Sequence, residues 1–375
     1  MRTSPRRPAG TWREPWRARG SSWPRRSWPR CRPRSGGPLR GLSGQAAQPR
    51  STCGTHLSLN PRTPETLEGR LFERIERAWE SAGAWPEFVA AMRQSLMAPP
   101  ADSEADAGSR PRWLQLPLLC CQAAGGDPGL AEPVAAAWAV LYAAAHLLDS
   151  VEDGDAPEPW WKPLGPGPAS NVATGLIATC ALLLTPDTGR PRAAEPIRQD
   201  FFQTVLQMSS GQHRDLTLAS PSLEECWQVA EAKSGAFFGL ACRAGARCAG
   251  IDEALVSHYS TYGTCLGLLV QIGDDLADLS GGLAGRGPLG IPMAYYQAVT
   301  AAGTAERSDR FGAQAENAPT QPSLELLESS GMRLYLRAKA HELREKGHRA
   351  LERATVSATG ADELSRLIQS TPRSI

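Results

Sequence analysis

The chain has 375 residues with 40 Lys+Arg against 39 Asp+Glu, a formal net charge of +1, which excludes a uniformly basic nucleic-acid binder. Thirteen arginines and one acid, Glu14, fall within residues 1–50, so the remainder is acidic. With 41% hydrophobic residues, that acidic body can bury a sizeable core.

Residues 1–60 read as a disordered Arg/Pro/Trp-rich extension, because the stretch from Ser21 to Gly37 sustains no periodicity. Eight prolines in the first 50 residues argue against an amphipathic targeting helix, and the missing apolar segment argues against a secretory signal. Tryptophans interleaved with arginines suit stacking on nucleic acid. Low-complexity disorder accounts for them as well, and no nucleic-acid partner is expected.

The helical pattern begins at Thr63-Pro64-Glu65, which reads as an N-cap, a first-turn Pro and an early acid. Leu67, Leu71, Ile75 and Trp79 then mark one helical face. A Pro/acid-rich loop is expected at 97–111. Ala/Leu-rich helices follow over 113–123, 131–153, 168–185, 193–211, 222–249 and 252–280, punctuated by Pro/Gly clusters at 156–168 and 281–292. A polar loop over 303–322 leads to helices at 323–353 and 360–369. No β-branched alternation is long enough for a sheet. Residues 61–375 are therefore expected to form one large all-α bundle. The longest apolar run, Val134 to Leu148, is interrupted by His146 and stays below the ~18 residues of a membrane span, so no transmembrane segment is expected. The nine cysteines form no C-x-x-C pair and read as buried free thiols of a cytoplasmic protein.

Two segments carry chemistry. Asp149, Glu152 and Asp153 lie at i, i+3 and i+4, on one face at the end of an apolar helix. The helix dipole disfavours acids there, so the cluster calls for a counter-charge such as Mg²⁺, although solvated surface acids give the same pattern. Gln271, Asp274, Asp275 and Asp278 repeat the arrangement about 125 residues later. Two such clusters at one cavity mouth describe a site for a diphosphate bridged by Mg²⁺. Lys233 lies in an apolar context and needs an anionic partner, either a phosphate or a protein carboxylate.

The chain resembles the trans-isoprenyl diphosphate synthases, or polyprenyl synthetases, over residues 65–370. Gln271-Ile272-Gly273-Asp274-Asp275-Leu276-Ala277-Asp278 is similar to the family's second motif, FQxxDDxxD, with Val270 in place of Phe. Asp149-Ser150-Val151-Glu152-Asp153 is similar to the first, DDxxD, with Ser150 where a second Asp stands. Gly211-Gln212 with Asp215-Leu216 matches GQxxDL, Lys233-Ser234-Gly235 resembles the lysine element, and Arg110-Pro111-Arg112 is a degraded GKRxRP region. The resemblance implies the isoprenoid synthase fold, an Mg²⁺-dependent prenyltransferase and a homodimer. It implies Mg²⁺ on Asp149, Asp153 and Asp274, with Glu152 and Asp278 in support, and makes Asp275 and Lys233 part of the catalytic set. Gln212, Lys233, Gln271 and Asp278 would contact the allylic prenyl diphosphate, and Arg112 the isopentenyl diphosphate.

The departures matter. The arginine pair expected after the first cluster is replaced by Ala156-Pro157-Glu158-Pro159-Trp160-Trp161. The lysine expected after the second cluster is absent too, with Arg286 the nearest cation. Each charge-assisted hydrogen bond that these replacements remove costs about 1.5–3 kcal/mol. The alternatives are therefore a cyclase, prenyl transfer to another acceptor, or a non-catalytic partner subunit. Small residues at Ala144 and Ala145, near Leu141 and Tyr142, suggest an open elongation tunnel and a product of twenty carbons or more, unless they are helix-packing alanines.

Overall fold

The computed structural model describes residues 65–97, 113–154, 160–185, 191–280, 290–311 and 323–371. The expected disorder of residues 1–60 falls outside them. Helix α1 (Leu67–Ser81) is capped by the Thr66 hydroxyl, which accepts the Gly69 N–H at 3.2 Å. The helix therefore starts three residues later than the Thr63-Pro64 signal indicates. Leu71, Ile75 and Trp79 are buried along it, as their spacing predicts. Helix α2 (Pro86–Met97) follows, and a 3₁₀ turn at Trp113–Gln115 leads into α3 (Leu116–Ala123).

The central helix is α4 (Glu132–Glu152), which packs mainly on α5 (Pro166–Leu183). The short 3₁₀ turn before α4 and α4 itself, Pro128–Glu152, are together long and apolar enough to cross a membrane, against the expectation from the interrupted run. Two-thirds of the window is buried inside the bundle, so its apolar composition matches that of a core helix.

Helix α6 (Pro191–Thr217) runs six residues past its predicted end and so carries Gln212 and Asp215 within a regular helix. Helix α7 (Leu223–Ala230) opens on a reciprocal Ser222–Glu225 capping box and continues through a π turn, Glu231–Gly235, into α8 (Ala236–Ala249). Gly250 stops α8 at φ +76, where L side chains are strained. Helix α9 (Glu253–Ser280) packs against both α8 and α12 (Met332–Ala354).

Helix α10 (Gly290–Phe311) corrects two expectations, since it occupies the end of the predicted Pro/Gly break and the start of the predicted polar loop. Pro292 falls in its first turn, where no N–H partner is lost. The helix predicted over 323–353 is broken into α11 (Leu324–Ser329) and α12 by Gly331 at φ +86. Helix α13 (Ala358–Gln369) closes the bundle. There is no strand among the described residues, and the fold is all-α as expected.

Buried polar groups on the large side chains are largely paired. Trp79 Nε1 donates to Thr179 Oγ1 at 2.9 Å, and Tyr262 Oη to the Leu364 carbonyl at 2.7 Å. The seven described cysteines are all free and buried.

Candidate active site

The site is built where three chain segments end or widen. Asp149, Glu152 and Asp153 occupy the last turn of α4 and its C-cap, with no basic residue in that turn. Ser150, standing where the motif has a second Asp, is only 8% exposed, so the three remaining acids form the solvent-facing side of the helix end.

Their counter-charge is Lys233. The π turn carries this residue across to α4, where Nζ donates to Asp149 Oδ1 at 3.0 Å and to Asp215 Oδ2 of α6 at 3.1 Å. A π turn displaces its side chains from regular helical positions and recurs at functional sites. Burial pulls the Lys233 ammonium down, but Asp149 and Asp215 outweigh it and hold the lysine above its ordinary value. Of the two partners the sequence leaves open, the structure supplies the carboxylates. Gln212 donates Nε2 to Asp153 Oδ1 at 3.0 Å and leaves its buried Oε1 without a partner. Burial, Asp149 and Asp153 raise the Glu152 carboxyl, partly offset by Gln212 and Lys233.

The second cluster is linked to the first through the residue after Lys233. Ser234 Oγ donates to Gln271 Oε1 at 2.7 Å, and Gln271 Nε2 donates to Asp275 Oδ1 at 2.8 Å. Asp275 Oδ2 accepts the Ile291 N–H at 3.2 Å, so this carboxylate ties α9 to the first turn of α10. Burial pushes the Asp275 carboxyl up to about 7, against the lowering effect of those two donors. Asp274 lacks such help. Its Oδ1 is buried with no partner, and burial together with Asp275 and Asp278 holds its carboxyl well above the usual range. An adjoining pocket is edged by Asp215, Lys233, Gln271 and Asp275 and walled by Val229 and Ile291.

Among the described residues, no three acidic, histidine or cysteine side chains are gathered closely enough to hold an ion alone. Mg²⁺ prefers oxygen ligands, keeps several waters and commonly uses one or two carboxylates plus substrate phosphates. The all-oxygen donor set and the uncompensated Asp274 fit an ion whose coordination a diphosphate completes.

Asp149 and Lys233 are thus in direct contact, as are Asp153 and Gln212, and Gln271 and Asp275 are joined to the residue after Lys233, Ser234. Asp274 and Asp278 share the last turns of α9 with Asp275. Arg112 and Arg286 lie outside the described residues. Asp215 and Ser234 are site residues that the sequence reading does not assign. The signal for Asp215 is its place four residues C-terminal to Gly211, together with the demand of Lys233 for an anion.

An all-α bundle with two acid clusters linked through a lysine-bearing π turn defines the class: an isoprenoid synthase fold. Residues 107–287 match the polyprenyl synthetase family model, so this part of the chain is similar to the trans-isoprenyl diphosphate synthases. The chain is 32% identical over 209 residues to a geranylgeranyl diphosphate synthase of Mycobacterium tuberculosis, covering 53% of this chain and 59% of that protein. It is 31% identical over 137 residues to the tryptophan prenyltransferase ComQ of Bacillus subtilis subsp. natto, covering 36% and 41%. The chain therefore spans three-fifths or less of these curated relatives. A geranylgeranyl pyrophosphate synthase from Corynebacterium glutamicum, solved with isoprenyl diphosphate and magnesium, superposes with TM-score 0.62 at 19% identity over 82% of this chain and 97% of that one. A geranylgeranyl pyrophosphate synthetase from Geoglobus acetivorans gives 0.63 at 19% identity, over 81% and 96%.

Proposed function

We propose that this chain is an Mg²⁺-dependent prenyltransferase that joins an allylic prenyl diphosphate to isopentenyl diphosphate. The observation that supports this most is Lys233 spanning Asp149 and Asp215, one residue from the Ser234–Gln271–Asp275 line to the second cluster. Asp149, Asp153 and Asp274 would hold Mg²⁺, with Glu152 and Asp278 in support. The bound metal neutralises charge on the diphosphate and makes it a better leaving group.

The remaining work falls to the chain. Lys233, presented on the π turn, exchanges a carboxylate for a diphosphate oxygen and holds it by a charge-assisted bond. Gln212 keeps Asp153 oriented. Gln271, held by Ser234 and Asp275, aligns the second cluster. The C1–O bond of the allylic substrate breaks with its electron pair leaving on diphosphate. The double bond of isopentenyl diphosphate forms the new C–C bond to C1, and a proton passes to the released diphosphate.

The same reading takes the protein as a homodimer, supported by Leu182, Phe202 and Leu206 exposed on α5 and α6, and as cytoplasmic, in keeping with its free cysteines. Transfer to an acceptor other than isopentenyl diphosphate is the second reading. It is favoured by the Trp160-Trp161 segment where the family's arginine pair would hold a second diphosphate.

The test supplies purified protein with Mg²⁺, isopentenyl diphosphate and allylic diphosphates of increasing length. An elongated product, lost in Asp274→Ala, is the expected result. Diphosphate release without elongation selects the second reading. Neither release nor binding of any prenyl diphosphate overturns both.

A further inference from the structure

The geometry points to a second binding site: a hydrophilic groove between α8, α9 and α12 that takes the phosphate group of a small polar molecule. The groove has a volume of about 360 Å³, within the range of small-molecule sites. It shares no lining residue with the pocket at Lys233 and Asp275, and the inference does not depend on the prenyltransferase reading.

The floor is one stripe of α9, where Ser257, Ser260, Thr261 and Thr264 follow one another at helical spacing. Val256 is the one apolar residue of the described lining, so a prenyl chain finds no apolar wall there. Hydroxyls inside a helix commonly turn back onto a carbonyl of the preceding turn. Ser257 does so on Ala254 at 2.7 Å, and Thr261 on Ser257 at 3.0 Å. Ser260 and Thr264 make no such bond among the described residues, which leaves their hydroxyls to a ligand. Across from them stands Gly239 of α8. A Cβ there would lie 3.0 Å from Thr264 Oγ1 and 3.6 Å from Arg243 Nη1, so the bare glycine keeps open the corner where these two donors converge.

Three cations face the groove: Arg243 and Arg247, one turn apart on α8, and Lys346 on α12. The buried Asp200 of α6 fixes both arginines, accepting Arg243 Nε at 3.3 Å and Arg247 Nε at 2.8 Å. One carboxylate thus serves two guanidiniums. Burial keeps the Arg243 guanidinium below its ordinary value in spite of Asp200, and Arg247 adds repulsion. Arg243 Nη2 donates to Thr204 and Arg247 Nη1 to Glu253. Arg243 Nη1 and Arg247 Nη2 make no hydrogen bond among the described residues, and Lys346 makes no ion pair among them. Donors held in place and arriving from three helices suit a phosphate, which accepts on several oxygens in different directions, better than a planar carboxylate. Two acids also line the groove. The Glu253 side chain is 71% exposed, so water screens it, and Glu231 is exposed at the π-turn end. An acid at that end repels a second anionic group but accepts a hydroxyl, which favours a ligand with one phosphate and a hydroxylated body, such as a sugar phosphate.

The experiment titrates the full chain by calorimetry, at low salt with EDTA to keep divalent metal from the acid clusters. The probes are inorganic phosphate, ribose 5-phosphate and geranyl diphosphate. Saturable binding of ribose 5-phosphate is expected. Thr264→Val, and Arg243→Lys, which keeps the charge and removes the fork, should each weaken it about tenfold or more. Lys346→Gln, at an exposed position, should weaken it about threefold to tenfold and carries the test if Arg243→Lys does not fold. Lys233→Met should leave it unchanged. Inorganic phosphate binding as tightly as ribose 5-phosphate, with the same response to the groove variants, supports the site and names free phosphate as its ligand. No saturable binding of either phosphate, or binding that Lys233→Met removes and the groove variants leave intact, overturns the inference. Geranyl diphosphate binding more tightly than both, in a way the groove variants weaken, overturns the hydrophilic assignment.

Discussion

Lys233 lies between two carboxylates on different helices, and neither would tolerate the other without it. Its Nζ donates to Asp149 and Asp215 at 3.0 and 3.1 Å, and the side chain is about a quarter exposed. The lysine thus fills, within the chain, the counter-charge that the end of α4 requires. Lys233→Met keeps the length and removes the charge. Losing a charge-assisted bond of about 1.5–3 kcal/mol should weaken prenyl diphosphate binding by roughly 10- to 150-fold, read by titration calorimetry with an unreactive analogue. An unchanged affinity would show that Lys233 stays on its carboxylates. Asp274 presents the opposite case, a buried carboxyl oxygen without a donor. Its carboxyl is raised, so the folded protein keeps this proton at a pH where the unfolded chain, near ~3.9, has lost it. The group's contribution is then most favourable at low pH and is lost as pH rises through the raised folded value. Asp274→Asn should stabilise the metal-free protein by about 1–3 kcal/mol, more at pH 8 than at pH 5, while abolishing turnover. Thermal melts at both pH values check this, and destabilisation at pH 8 would count against it.

At the scale of elements, the π turn and α9 form the joint that carries the site. Gly267 lies one turn before Gln271, and a Cβ there would come within 2.2 Å of the Ser234 carbonyl oxygen. That carbonyl is backbone of the π turn, so the clash is not relieved by a rotamer change. Gly267→Ala should force α9 away from the turn, lengthen the Ser234–Gln271 bond and cost about 1–3 kcal/mol. A matching loss of turnover should accompany a lowered melting temperature; retention of both would mean the turn yields easily. This joint also marks how far the sequence can be read. The apolar runs of α4 and α9, each ended by acids, point to the helices and the two clusters. The π turn is not legible, because an extra residue in a helical turn leaves the local apolar pattern intact. Helix α10 escapes the sequence reading because Gly and Pro near its start give the same signal as a loop, and the cap from Asp275 comes from another helix. The Phe237–Trp138 stack pairs residues 99 apart, and no local spacing predicts it.

For the molecule as a whole, the two acid clusters stand on helices that come from distant parts of the chain and meet through α8. No trio of ligands is preformed among the described residues, and the first cluster already has Lys233 as a partner. Mg²⁺ alone must then displace a lysine and draw carboxylates together without enough ligands to reward it. Diphosphate alone brings more negative charge to an acidic mouth. Together they complete each other: the phosphates supply the missing oxygens, the metal cancels the repulsion, and Lys233 gains a phosphate partner as it gives up Asp149. Stabilisation should therefore be strongly non-additive. A ligand set at about 100 times its dissociation constant contributes about 2.7 kcal/mol, which for a domain of this size amounts to a melting shift of at least about 2 °C. That shift is expected with Mg²⁺ and inorganic diphosphate together, and little or none with either alone, in scanning calorimetry at pH 7.5. Full stabilisation by Mg²⁺ alone would mean that the carboxylates form a complete ion site before substrate arrives, and would remove Lys233 from its place as the resident counter-charge.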